Sequence, residues 1–397
     1  MDTQGEVDCA IVGGGPAGLM LGLLLARQGL TVTVVEKHAD FLRDFRGDTI
    51  HPSTQQLLQE LGMLDAFLER PHADMSRVTV SWQGAEFTLA DFSKLPTTRK
   101  VMSFMPQWDF LDLVAETATQ YDGFQLLRST AITGLIREEG RVVGVAGEGS
   151  EGSEGSVRIR ARLVVDASGR DSVVRGLAGL NPVGRASSMD VLWFRLPKHE
   201  GETYPFIQAG AGMIITIDRG DFFQIAHVIP AGTWSGTPSD VAQMNQRLVQ
   251  ISPRLGRAAV GLKPDGVHLL RVRLERLRRW DADGLLCIGD SAHAMSPAGG
   301  VGINLAIQDA VATARILGPV LQRGVPRTSE IRRVQRRRNF PVRVTQTVQR
   351  LLQGPLLSTT VAGSAMPRPL RMLRDHPRLT SVTGRFVGRG VRPEHLS

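Results

Sequence analysis

Three glycines spaced Gly13-x-Gly15-x-x-Gly18, with Pro16 and Ala17 before the last, follow directly on the apolar run Val7–Val12. A turn of such residues has no Cβ in the way, so backbone N–H groups and the positive end of the next helix can reach a pyrophosphate. Glu36 closes the second apolar run, Thr31 to Val35, with Lys37 after it. A carboxylate there can accept hydrogen bonds from ribose hydroxyls and would repel a 2′-phosphate. This chemistry is the binding of an adenine dinucleotide, and the unit alone does not separate FAD from NAD.

A second cluster is Gly289-Asp290-Ser291-Ala292-His293-Ala294-Met295-Ser296-Pro297-Ala298-Gly299-Gly300-Val301-Gly302-Ile303-Asn304. With the glycine turn far upstream, it resembles the FAD signature of the para-hydroxybenzoate hydroxylase family of single-component flavin monooxygenases. The resemblance implies that Asp290 binds the ribityl chain or nearby hydroxyls. It also implies that Pro297, Gly300 and the backbone of Gly302, Ile303 and Asn304 lie along the isoalloxazine. A glycine-bounded helix start offers unpaired N–H groups and a positive dipole end, which suit the negative charge of a reduced flavin. His293 within this cluster is read as structural.

The run Leu163 to Arg175 resembles the family's middle motif, Asp-Gly-x-x-Ser-x-x-Arg, aligned on Gly169, Ser172 and Arg175. Ser168 stands where the family has Asp, and Asp166 is expected to take over part of its hydrogen bonding. Ser168 and Gly169 are thereby cofactor contacts by resemblance. Arg46 resembles an arginine that the family places near the pyrophosphate and flavin, and Gln107 occupies the place of a residue facing ribose or phosphate. The implied cofactors are FAD, with NADH or NADPH as electron donor, and O2 is the co-substrate. The implied reaction is hydroxylation or another oxygenation of an aromatic or polyketide-like small molecule through a flavin C4a-hydroperoxide. Such chemistry belongs to the cofactor, so no catalytic side chain is assigned. The rival readings are a flavin-dependent reductase of a prenyl lipid and a non-catalytic FAD-binding protein that docks to a membrane or partner. The tryptophan pair of flavin halogenases is missing, the five tryptophans being at 82, 108, 193, 234 and 280.

These residues must be held by particular elements. Strand, glycine turn, helix and strand over residues 7–36 make a βαβ unit. Runs at 141–145 and 157–161 flank a polar Gly/Ser/Glu tip and read as a hairpin. Between 182 and 273 strand-like runs dominate, notably Met213 to Ile217 and Phe222 to Ile229. The expected fold class is α/β: a Rossmann-like FAD-binding domain, an inserted and mainly antiparallel substrate sheet, and a helical C-terminal segment. The FAD-binding domain is expected over 1–71, 109–180 and 275–321, the substrate domain over 72–108 and 181–274, and the C-terminal segment over 322–397. On the inserted sheet, Phe223 and His227 share one face of a strand and are the candidate substrate contacts.

The 397 residues are 42% hydrophobic and 22% charged, with a net charge of +8. Sixteen arginines and only three carboxylates lie between Gln322 and Ser397, so the rest of the chain is net negative. A net-negative body without basic stripes interleaved with aromatics argues against nucleic acid as a partner. The basic tail leaves docking to an anionic membrane surface open. No run of about 18 apolar residues occurs, and the expected location is cytoplasmic, with peripheral membrane contact open. Two cysteines, Cys9 and Cys287, exclude a disulfide framework or a zinc cluster, and no metal site is expected.

Overall fold

The computed structural model describes residues 6–42, 49–149, 156–358 and 365–396. Two large sheets dominate it, and each is assembled from distant stretches of chain. In the first, Val7–Val12 lies between Val32–Val35 and Ser156–Asp166, parallel to both, and Leu285–Cys287 adds in parallel beyond Asp166. Phe124–Leu127 extends the other side. These strands are buried runs of Val, Ile, Leu and Cys, as expected where helices cover both faces of a parallel sheet. The strand Arg141–Gly149 pairs antiparallel with Ser156–Asp166.

The helix Pro16–Ala26 begins at Pro16, three residues before the first leucine of its apolar run, because proline suits the first helical position, where no intrahelical donor is needed. Every residue from Ala17 to Ala26 is buried, so the helix has no solvent face and is central to the layer. A Cβ on Gly22 would lie 2.7 Å from the Phe124 ring. That close approach brings the helix down onto the sheet.

The second sheet runs in the order His293–Ala294, His268–Leu277, Pro182–Pro197, Phe222–Pro230, Met213–Asp218, Ile207–Ala209, Arg77–Trp82 and Ala85–Asp91. Only the pairing of Ile207–Ala209 with Arg77–Trp82 is parallel. Alternation gives it two apolar faces. Leu192, Phe194, Ile214, Phe223, Ile225 and Ile229 pack under Val241, Met244 and Leu248 of the helix Pro238–Ile251. That helix is started by a reciprocal capping box between Thr237 and Asp240. The opposite face carries Met189, Val191, Met213, Ala226, Val228, Leu270 and Val272, with Trp193 and Ile215 half-buried beside them. Trp193, Ile215 and Ile217 also meet Met102 and Phe104. Those two belong to a small sheet with Thr49–Ile50, so this face looks toward the segment around residue 50.

The helix Val301–Leu321 packs against Pro16–Ala26, and Thr328–Ser358 packs against it in turn. Among the described residues no helix is long and apolar enough to cross a membrane.

Candidate active site

At the carboxyl ends of the parallel strands three turns meet, where ligands of open α/β sheets bind. Gly13 has φ 107°, and a Cβ there would lie 2.5 Å from the Ala167 carbonyl oxygen. A Cβ on Gly18 would lie 1.9 Å from the oxygen of Gly13. Both glycines are therefore demanded by the chain's own packing. Gly15 is different: its φ is −81° and a Cβ would meet nothing within 4 Å. It caps the helix without a side-chain hydrogen bond, Pro16 and Ala17 follow, and the space before it is open. Glu36 is 3% exposed, and its carboxylate accepts the N–H of Gly14 (2.8 Å) and of His38 (3.0 Å). Lys37 points to the exposed surface.

Gly289 packs against the glycine turn, since a Cβ there would lie 3.2 Å from the Ala17 methyl. Asp290, next to it, pairs with Arg170 of the middle motif at 3.1 Å. The helix Val301–Leu321 starts from Gly300 in the left-handed region (φ 61°), again without a side-chain cap. A Cβ on Gly300 would lie 2.6 Å from the Thr49 hydroxyl oxygen, whereas one on Gly302 would meet nothing within 4 Å. Pro297 is half-buried in the preceding turn, and Ile303 is buried. The Asn304 side chain is fully engaged. Its Oδ1 accepts the His51 N–H (2.9 Å) and the Thr54 hydroxyl (2.7 Å), and its Nδ2 donates to the carbonyls of Thr49 (3.0 Å) and Gly300 (3.1 Å). Asn304 thus clamps residues 49–54 to the helix start, leaving the first-turn backbone N–H groups as the donors for a ligand.

In the middle motif Asp166 is wholly buried, and it accepts the Ser168 N–H (3.0 Å), the Ser168 hydroxyl (2.6 Å) and the Ser172 hydroxyl (2.6 Å). Burial raises its pKa against the pull of those hydrogen bonds. The Ser168 hydroxyl is therefore spent on Asp166, and Gly169, at φ 91° with open space around it, is the motif's ligand-facing position. Arg175 donates to the carbonyls of Ser291 (3.1 Å) and Arg170 (2.5 Å), fastening this motif to the Gly289–Ser291 turn. Gln107 opens the helix Gln107–Ala118 and is half-buried. Arg46 lies outside the described residues.

Phe223 and His227 require a correction. Both are 1% exposed on the face under the helix Pro238–Ile251, and Phe223 meets Tyr204 edge to face at 5.0 Å. His227 pairs with Leu192 on the same face, and burial, helped by Arg247, lowers its pKa to about 4. These side chains fill a helix-covered core, away from the face that looks toward residues 49–51. Alternation names the two faces of a strand but not which one a returning helix will cover. A cavity of about 230 Å³ between Gln83, Gln208, Gly210 and Ile251 lies at the edge of this sheet, and none of the motif residues lines it.

Sequence reasoning missed Asp309, buried in the helix Val301–Leu321. It accepts the Gly289 N–H (3.1 Å) and pairs with His293 (2.5 Å) and Arg338 (2.8 Å). Burial pushes its pKa up, but His293 and Arg338 outweigh that and hold it below the usual value. The lone carboxylate in the apolar run Leu305 to Ala314 was its only signal.

The arrangement fits a flavin dinucleotide: two uncapped helix starts, three glycines facing open space (Gly15, Gly169 and Gly302), and a buried carboxylate beside the first glycine turn. The family described as "FAD binding domain" matches residues 6–347. A 6-methylpretetramide 4-monooxygenase of Streptomyces rimosus is 35% identical over 402 residues, covering 96% of this chain and 92% of that protein. A rifampicin monooxygenase of Streptomyces venezuelae is 28% identical over 76% of this chain, which spans 62% of that protein. Among solved structures, the anhydrotetracycline hydroxylase OxyS of Streptomyces rimosus superposes with a TM-score of 0.76 at 21% identity, over 97% of this chain and 76% of that one. The flavin-dependent brominase Bmp2 gives 0.78 at 19% identity, over 97% and 94%. Similarity at that level to a hydroxylase and a brominase alike shows the fold alone. The family match over most of the chain and the near full-length relative show more: this chain belongs to the FAD-binding family of the para-hydroxybenzoate hydroxylase kind and is an FAD-dependent monooxygenase, an oxidoreductase.

Proposed function

We propose that this monooxygenase oxygenates an aromatic, polyketide-like small molecule, with NADH or NADPH as the electron donor. The observation that carries the reading is the meeting of the three motif turns, with Asn304 holding residues 49–54, the segment toward which an apolar sheet face looks, in a chain whose near full-length relative is named for oxygenating a pretetramide. Bound FAD would supply the activation of O2, with electrons from the nicotinamide donor.

The chain's own residues have narrower tasks. Backbone N–H groups of Gly15, Ala17 and Gly18, in the turn that Gly13 shapes, would receive the pyrophosphate, and Glu36 the ribose of the adenosine half. Asp290 would hold the hydroxyls of the other half, and Gly169 lets it approach closely. Backbone N–H groups of Gly302 and Ile303 would stabilise negative charge on a reduced isoalloxazine resting near Pro297 and Gly300. Val191, Trp193, Ile215 and Val228 would hold a flat substrate and exclude water. The Trp193 indole N–H, buried with no acceptor among the described residues, is available to a substrate oxygen. Residues 1–71, 109–180 and 275–321 are proposed as the cofactor-binding unit, and 72–108 with 181–274 as the substrate unit.

The test is turnover under labelled oxygen. FAD-loaded protein is given NADH or NADPH and linear polycyclic phenols, and the product is weighed. Incorporation of one ¹⁸O atom from ¹⁸O2 is expected. Peroxide as the sole product across the phenols, or an unlabelled saturated product, overturns the reading.

A further inference from the structure

The C-terminal end of the chain is fastened to the parts that support the candidate cofactor site. The Val387 carbonyl oxygen meets His51 Nδ1 at 2.7 Å, one clamp away from Asn304. Glu60 accepts the Leu396 N–H (3.0 Å) and meets His395 Nδ1 (2.7 Å). Between them the Glu394 carboxylate is 0% exposed and faces three arginines. Arg315 and Arg337 contact it at 2.6 Å from the rim, and the fully buried Arg338 at 3.4 Å. The Glu394 N–H also donates to Gln308, the neighbour of Asp309.

A continuous line of polar contacts then runs inward. Arg338 gives Nη1 to Glu394 and Nε to Asp309, and the second oxygen of Asp309 accepts the Gly289 N–H. Gly289 turns at φ 61° and is followed at once by Asp290. Arg315, Arg337 and Arg338 share two buried carboxylates, Glu394 and Asp309, and loss of Glu394 leaves three guanidinium charges with one carboxylate among them, two at the rim and one in a low-dielectric site. Without Glu394, Arg338 has Asp309 as its sole carboxylate partner, and the Asp309 oxygen that fixes Gly289 is drawn into the competition.

We propose that Glu394 is a positioning residue for FAD: through Arg338 and Asp309 it sets the Gly289–Asp290 turn, so that docking of the C-terminal strap and binding of FAD favour each other. This rests on reading that turn as an FAD contact. Because coupling between two binding events is reciprocal, FAD must tighten the strap by the same factor by which the strap tightens FAD.

The experiment has two arms on the full-length protein. In the first, FAD is titrated into the apoprotein of the unaltered chain, Glu394→Gln and Glu394→Asp, following flavin fluorescence. Glu394→Gln is expected to raise the Kd for FAD about tenfold, within the usual span of such couplings, and Glu394→Asp to restore most of the affinity. In the second, the unaltered protein is digested with a carboxypeptidase with and without saturating FAD, and release of the terminal residues is followed by mass. FAD is expected to slow release past Glu394 about tenfold. This arm stands even if Glu394→Gln does not fold. An unchanged Kd in a folded Glu394→Gln protein, or digestion indifferent to FAD, overturns the strap while leaving FAD binding intact. An unaltered protein that takes up no FAD overturns both.

Discussion

Gly15 and Gly18 stand three residues apart in one turn, yet different neighbours require them. Gly18→Ala forces a methyl to 1.9 Å from a backbone oxygen. It is expected to destabilise the apoprotein by about 3 kcal/mol. Gly15→Ala adds a methyl to empty space at an ordinary φ of −81°, so the melting of the apoprotein should stay within about 0.5 kcal/mol. Its FAD affinity should fall, because the methyl enters the space left for the phosphates. Thermal melts of both apoproteins with FAD titrations check the pair, and a Gly15→Ala protein that binds FAD normally would remove the pyrophosphate from that turn. Such glycines are legible in a sequence because their spacing is local. The Asp309–Arg338–Glu394 line was not legible, since its members are far apart in the chain and only folding brings them together. Ser168 was half-legible: its departure from the family's aspartate stood out, and the structure shows its hydroxyl turned to Asp166.

At the scale of elements, the strand Phe222–Pro230 was visible from its alternation, but its orientation was not. The missing information lay in the next element. The helix Pro238–Ile251, announced by Thr237 and Asp240, folds back over the odd-numbered side chains. Phe223→Ala should therefore cost about 3–5 kcal/mol of stability and leave the KM for the aromatic substrate unchanged. Trp193→Phe, on the opposite face, should leave stability nearly intact and raise KM. Denaturant melts paired with steady-state kinetics decide it, and a selective rise in KM for Phe223→Ala would return that residue to the substrate site.

For the molecule as a whole, the basic tail is partly absorbed by the acidic body. Arg332 pairs with Asp281, while Arg338 bridges Asp309 of the body and Glu394 of the tail itself. The buried histidines set the response to acid. His51 and His227 are held neutral, each lowered by burial from 6.5 to about 4. Below pH 6.5 the unfolded chain takes up protons that the fold refuses. Stability is therefore full above that pH and falls between about 6.5 and 4, by about 1.4 kcal/mol per pH unit for each histidine. Urea midpoints measured from pH 7.5 to 5 should decline, and His227→Leu should flatten the slope by one proton. An unchanged slope in that variant would mean that His227 takes up its proton in the fold as readily as in the unfolded chain.

The pairing of Val12 with Asp166, and of Asp166 with Cys287, also governs the order in which the protein can be made. On a ribosome adding about 5–20 residues per second, the first strand waits tens of seconds for its far neighbours. Until Cys287 emerges, the edge of Ser156–Asp166 that it will cover is an open, apolar strand edge of the kind that recruits other chains. Glu394 comes later still. The parallel sheet therefore cannot close until Leu285–Cys287 has been made, and shortened chains ending before residue 285 should accumulate as aggregates rather than as folded fragments.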